Sequence, residues 1–169
     1  MLRPLGIVTV LLGLAVVGVW GWQWLSRPRA VSPEELAQAA LTADTPRERE
    51  NAAVRLSQLG RPARDQLLQV LGQSKQPEVR VACIRGLHQQ WDYRSVSLLL
   101  GMMDDESPLV RAQAGATIQD LLRFDFGFRA NDPPQKRQEA IKQFRAWWET
   151  FQKSRRSQAF MRQQMGEEP

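Results

Sequence analysis

Pro46, Pro77 and Pro108 recur every 31 residues, and Arg49, Arg80 and Arg111 keep step with them. Leu56, Leu87 and Ile118 follow in the same register, as do Leu36, Leu67 and Leu98. A period of this length with helical punctuation is the signature of a solenoid, in which each repeat is one supersecondary unit that buries its apolar face only against its neighbours. The pattern constrains the architecture tightly and the chemistry very little.

The punctuation divides the chain. Ser32-Pro33-Glu34-Glu35 and Thr45-Pro46-Arg47-Glu48 combine a capping hydroxyl, a first-turn proline and a capping-box glutamate. Ser107-Pro108 and Asp132-Pro133 repeat the cap and proline, and Gln76-Pro77 keeps the proline alone. These signals predict seven helices near 33–43, 46–59, 62–73, 77–89, 93–104, 108–123 and 133–153. The first helices of each pair turn inward Ala52, Ala53, Leu56 and Leu59, then Cys83, Ile84 and Leu87, then Ala114, Ile118 and Leu121. The second helices turn inward Leu67, Leu68 and Leu71, then Leu98, Leu99 and Met102. Helix 33–43 aligns with the second helices through Leu36 and Ala40, as a half-repeat covering the first open face.

Residues 50–60 (Glu50-Asn51-Ala52-Ala53-Val54-Arg55-Leu56-Ser57-Gln58-Leu59-Gly60), 77–87 (Pro77-Glu78-Val79-Arg80 through Leu87) and the opening Pro108-Leu109-Val110-Arg111 resemble HEAT repeats, and more narrowly the short bacterial type named after phycobilisome lyases. The resemblance covers about residues 33–123. It implies an α-solenoid and leaves function open, since that family holds scaffolds, regulators and a few enzymes. It also implies that Arg49, Arg80 and Arg111 form a structural ladder that pairs with acids of neighbouring loops, with Asp104, Asp105 and Glu106 placed to serve Arg111.

Outside the repeats, Leu5 to Leu25 carry no charge. As a helix these residues span about 31 Å at about 1.5 Å each, which matches a bilayer core of about 30 Å. Trp20, Trp22 and Trp24 crowd one end, where aromatic rings favour the interface. The rival is a cleaved signal peptide ending at Gly13-Leu14-Ala15, but this leaves a very short apolar region before the cut. The expected organisation is a transmembrane anchor at 1–26, a linker at 27–31, repeats at 32–123, an aromatic loop and capping helix at 124–153, and a basic flexible tail at 154–169. Arg3 on one side and Arg27 and Arg29 on the other nearly balance, and the lean is towards an exported soluble domain.

The stretch 129–162 holds nine Lys/Arg against three acids, whereas the whole chain carries +5. Such a face attracts anionic lipid or acidic protein. No aromatic residue interleaves the cluster at 153–156, which argues against nucleic acid. The lone cysteine, Cys83, falls on an inner helix face and reads as a small core filler; the lone histidine, His88, reads as surface. No metal-ligand spacing, phosphate loop or nucleophile elbow is present, so no catalytic, cofactor or metal residue is assigned.

The resulting expectation is all-α: an N-terminal transmembrane helix, a short solenoid of HEAT-like pairs and a C-terminal capping helix. The expected function is a membrane-anchored adaptor or scaffold for an unidentified protein partner, not an enzyme. The partner is expected on the second helices through Arg61, Arg64, Tyr93, Arg94 and Ser97. Two other readings stay open. One is a lyase-like or chaperone accessory enzyme with an aromatic pocket at Trp91, Tyr93 and the 124–128 loop. The other is a structural membrane protein whose basic C-terminal helix binds anionic lipid.

Overall fold

Capped prolines set where each helix begins. The computed structural model describes residues 31–165, and among them it has eight α-helices and no strand. They are α1 (Pro33–Thr42), α2 (Pro46–Gln58), α3 (Arg64–Gln73), α4 (Pro77–Gln89), α5 (Val96–Met102), α6 (Pro108–Leu122), α7 (Pro134–Lys153) and α8 (Arg155–Met165). Five of the first seven open on a proline that follows the capping position, where a missing N–H costs nothing. Ser32 and Thr45 each close a full capping box with Glu35 and Glu48. Ser107 makes no side-chain cap, and α7 starts one residue later than the Asp132-Pro133 signal suggested. Asp132 instead pairs with Lys136 at 3.0 Å.

Helices α2, α4 and α6 stack in one layer; α1, α3, α5 and α7 form the other. Helix α1 packs against both α2 and α3, as the half-repeat reading requires. The core between the layers joins Leu36, Ala53, Leu56, Leu67, Ile84, Leu87, Leu99 and Ile118, all essentially closed to solvent. Small residues on α2, α4 and α6 set the spacing. A Cβ built on Gly86 would lie 2.6 Å from Ser57 Cβ and 3.0 Å from its Cα, so α2 and α4 touch through a glycine.

Four inward assignments differ in the structure. Leu59 sits at the C-cap of α2, where the helix has ended, and is exposed. Leu68, Leu98 and Met102 are half-buried, while Val70, Leu100 and Met103 take the closed positions beside them. Each second helix begins after a 3-10 turn, Arg61–Ala63 or Tyr93–Ser95, whose tighter winding rotates the face that follows.

An arginine ladder runs through the loops. Nη1 of Arg49, Arg80 and Arg111 donates to the carbonyl six residues earlier, at Ala43 (2.6 Å), Ser74 (3.0 Å) and Asp105 (2.8 Å). Each guanidinium then reaches one loop further, to Gln76 Oε1 (3.1 Å), Asp105 Oδ1 (2.7 Å) and the Ala130 carbonyl (2.9 Å). The carboxylates are therefore distributed differently from the expectation: Asp105 serves Arg80, Asp104 serves Arg137 and Gln138, and Arg111 takes main-chain oxygens.

Beyond α6 the aromatic loop wedges the last layer. The Phe128 ring is buried at the Gly115 surface, and Phe126 stands edge-on to Phe144 at 4.7 Å. Helix α7 lies on α5 and buries Ile141, Phe144 and Trp148. The tail expected to be flexible is helical over Arg155–Met165, because Phe160 and Met161 find apolar neighbours. No helix among the described residues is long and apolar enough to cross a membrane; the expected anchor at 5–25 and most of the linker lie outside them.

Glycine substitutions separate packing from backbone entropy. Gly86→Ala should lower stability by about 1–3 kcal/mol, because the Ser57 backbone must move. Gly72→Ala in α3, where a Cβ meets nothing within 4 Å, should raise it by about 0.5–1 kcal/mol. Urea midpoints at unchanged m-value measure both.

Candidate functional site

Exposed apolar surface clusters where the repeat breaks. Of the large apolar side chains exposed among the described residues, Trp91, Phe124 and Phe160 border one cleft of about 570 Å³. Its walls come from the end of α6 (Leu121, Leu122), the start of the aromatic loop (Arg123, Phe124), α7 (Trp147, Phe151) and α8 (Ser157, Phe160), with Trp91 and Tyr93 between α4 and α5. Ring contacts run along both walls. Phe124 meets Trp147 at 4.8 Å, Trp147 stacks on Phe151 at 4.9 Å, and Tyr93 stands edge-on to Phe160 at 5.7 Å. Trp148, the next residue, is buried, stacks on Phe151 at 5.6 Å and donates from Nε1 to Ser97 Oγ at 3.3 Å.

Two residues of this cleft are held in an unusual backbone conformation. Trp91 (φ 52°) and Arg123 (φ 57°) are the only non-glycine residues with positive φ among those described. For a bulky side chain that conformation costs of order 1–3 kcal/mol and persists only where the surroundings enforce it. The two side chains meet: the Arg123 guanidinium carbon lies 5.7 Å from the Trp91 ring centroid. Arg123 also pairs with Asp120 at 3.3 Å, and Asp120 lies 2.6 Å from His88 Nε2. His88 is thus a partnered, half-buried side chain that stands edge-on to Trp91 at 6.0 Å. Burial pushes the Tyr93 hydroxyl up from its ordinary pKa; Arg123 lowers it and Asp120 raises it. The group remains a neutral donor at physiological pH.

Trp91 is also the wall of a second, smaller cavity of about 60 Å³ lined by Arg61, Arg64, Gln90, Asp92 and Arg94. Asp92 is buried and binds Arg64 Nε at 2.8 Å; Arg64 also meets Asp65 at 2.6 Å. The structure therefore gathers the five expected binding residues at one end of α5 but gives them different tasks. Arg61, Arg64 and Arg94 line the small cavity, Tyr93 lines the aromatic cleft, and Ser97 accepts from Trp148. Tyr93 is only 6% exposed, so it is a wall of the cleft and not a protruding anchor, since the short 3-10 turn tucks its ring under Phe160. Trp91, Phe124 and Phe160 supply the exposed aromatic surface in its place. The signal available in the sequence was the paired breaks at Gln90-Trp91-Asp92 and Arg123-Phe124-Asp125, where aromatic residues sit in loops without an apolar period.

Among the described residues no group of three His, Cys, Asp or Glu side chains gathers as a metal site. Cys83 is fully buried, and desolvation pushes its thiol up to about 12. It should therefore resist a thiol reagent at pH 8 and react at the rate of global opening. Labelling followed by mass spectrometry, with and without denaturant, checks this; rapid native labelling would place Cys83 elsewhere.

A family model described as HEAT repeats matches residues 33–119. No curated protein and no solved structure matches the chain.

Proposed function

The chain belongs to the HEAT-repeat family, and from that premise we propose a membrane-anchored adaptor that holds a partner protein in the aromatic cleft at the end of its repeats. HEAT repeats in general mediate protein–protein interaction through surfaces that stacked helix pairs present. The observation that carries the reading is the meeting of exposed aromatic rings with two strained residues, Trp91 and Arg123, in one cleft. Aromatic and arginine side chains at the rim of a concavity are the types that dominate binding energy at interfaces. The uncharged stretch 5–25 supports the anchor, and the repeat unit is read as lying on the exported side. We assign the chain no catalytic step.

A second reading takes the same cleft as the ligand pocket of an accessory or chaperone protein. The junction of Trp91, Tyr93 and Phe124 favours it, because aromatic walls with few polar groups also suit a small molecule.

Photo-crosslinking in intact cells tests the proposal. A photoreactive phenylalanine analogue replaces Phe124 or Trp147 in the full chain, with Val54 on α2 as the exposed control. After alkaline washing of the membranes, full-length chain should remain bound, and protein adducts should form from the two cleft positions and not from Val54. Adducts from Val54 alone would remove the cleft from the binding role. A shortened chain released by the wash would remove the anchor.

A further inference from the structure

Gln90 lines the small cavity beside Trp91, and its side-chain amide is buried with neither Nε2 nor Oε1 hydrogen-bonded. An amide in that state costs the protein stability unless something outside the chain satisfies it. It offers a donor and an acceptor side by side, the complement of the N–H and C=O of one extended residue, which point the same way. The two cavities that share Trp91 are together lined by four arginines, Arg61, Arg64, Arg94 and Arg123, and a single carboxylate, Asp92. Asp92 bonds Arg64 at 2.8 Å and lies 3.7 Å from Arg94, and Asp65 and Asp120 pair with Arg64 and Arg123, yet Arg64 and Arg123 keep further N–H groups.

We infer that the cleft and the arginine pocket form one bipartite site for an acidic peptide segment of a partner protein that carries a large aromatic or aliphatic side chain. This rests on the adaptor reading and names the partner's chemistry. The apolar side chain enters the cleft between Phe124, Trp147 and Phe160, whose volume of about 570 Å³ suits a few side chains. The peptide backbone displaces the Trp91 ring and exchanges hydrogen bonds with the Gln90 amide, which is closed in the unbound chain. Flanking carboxylates meet the arginines, and one draws Arg123 from the face of Trp91. A lipid chain has no use for a paired donor and acceptor at the junction, whereas an extended peptide residue uses both; a nucleic-acid base edge also pairs with such an amide, and competition by an oligonucleotide separates the two.

The test is fluorescence anisotropy with the full chain in neutral phosphatidylcholine nanodiscs. The probe is a fluorescein-labelled short peptide with a central Phe flanked by Asp and Glu. It should bind; the same peptide with Ala for Phe should bind at least about tenfold more weakly. The version with Asn and Gln for the acids should bind about three- to tenfold more weakly and lose its salt dependence. Arg123→Gly keeps the left-handed backbone while deleting the cation, and should weaken the acidic peptide severalfold without changing the neutral one. Gln90→Met should weaken every binding peptide about tenfold yet melt no lower than the parent, since it removes an unsatisfied amide.

Equal binding of the acidic and neutral peptides overturns the charge assignment. Unchanged affinity in Gln90→Met overturns the backbone contact. Failure of all Phe peptides, or displacement of the probe by an oligonucleotide or anionic vesicle at lower concentration than by unlabelled peptide, overturns the partner class. The crosslinks at Phe124 and Trp147 would still decide the adaptor reading independently.

Discussion

A guanidinium that binds its own loop and the next one holds this molecule in register. Backbone carbonyls at the end of a helix and in the following turn have no helical partner and must be satisfied by something else. Here Arg49, Arg80 and Arg111 do this at the same offset, and each donates from a second nitrogen to the loop of the following unit. The planar, permanently charged fork suits that double role; a lysine ammonium would not span both loops with fixed geometry. The Arg80–Asp105 pair is the most enclosed rung, with side chains 7% and 10% exposed, and Arg80 Nε is buried without a partner. A buried charge so placed is tolerated only while its carboxylate stays in position.

The ladder also explains where the repeat may change. Pro134-Gln135-Lys136-Arg137 is a fourth copy of the proline and arginine, displaced to 26 residues after Pro108. Arg137 donates to the Asp132 carbonyl at 2.8 Å and reaches Asp104 at 3.3 Å, so a rung survives although the period does not. Helix α7 is thereby tied back to the loop before α6 while the aromatic loop takes up the altered spacing. The cost of that compromise is concentrated at Arg123, where α6 ends in a left-handed residue, and it opens the cleft. The cleft proposed to hold the partner lies where the periodic frame is interrupted.

Much of this was legible in the chain. The 31-residue period and the capped prolines place seven helices, the half-repeat at α1 and the layers, because helix caps and small–large packing are local rules. The 3-10 turns ahead of α3 and α5 were not legible, since three residues carry too little pattern; Leu67, Leu71 and Leu99 are inward as expected, while Leu68, Leu98 and Met102 are only half-buried. Tyr93 went from anchor to wall because it lies in the second of these turns. The helix at Arg155–Met165 was hidden because its neighbours are brought to it by tertiary packing. Arg137 was missed because a period search does not see a rung displaced by five residues. Arg61, Arg64 and Arg94 were found as a group, but the unsatisfied amide of Gln90 beside them shows only in three dimensions.

The central claim, that the arginine rungs couple one repeat to the next, is tested most directly by a double-mutant cycle on Arg80 and Asp105. Urea unfolding of Arg80→Ala, Asp105→Ala and the double variant gives the coupling. Each single change should cost about 3–5 kcal/mol, since each leaves a buried charge or an open loop. The double variant should cost less than their sum by about 1–3 kcal/mol. Costs that simply add, or single changes that leave the midpoint in place, would contradict the account.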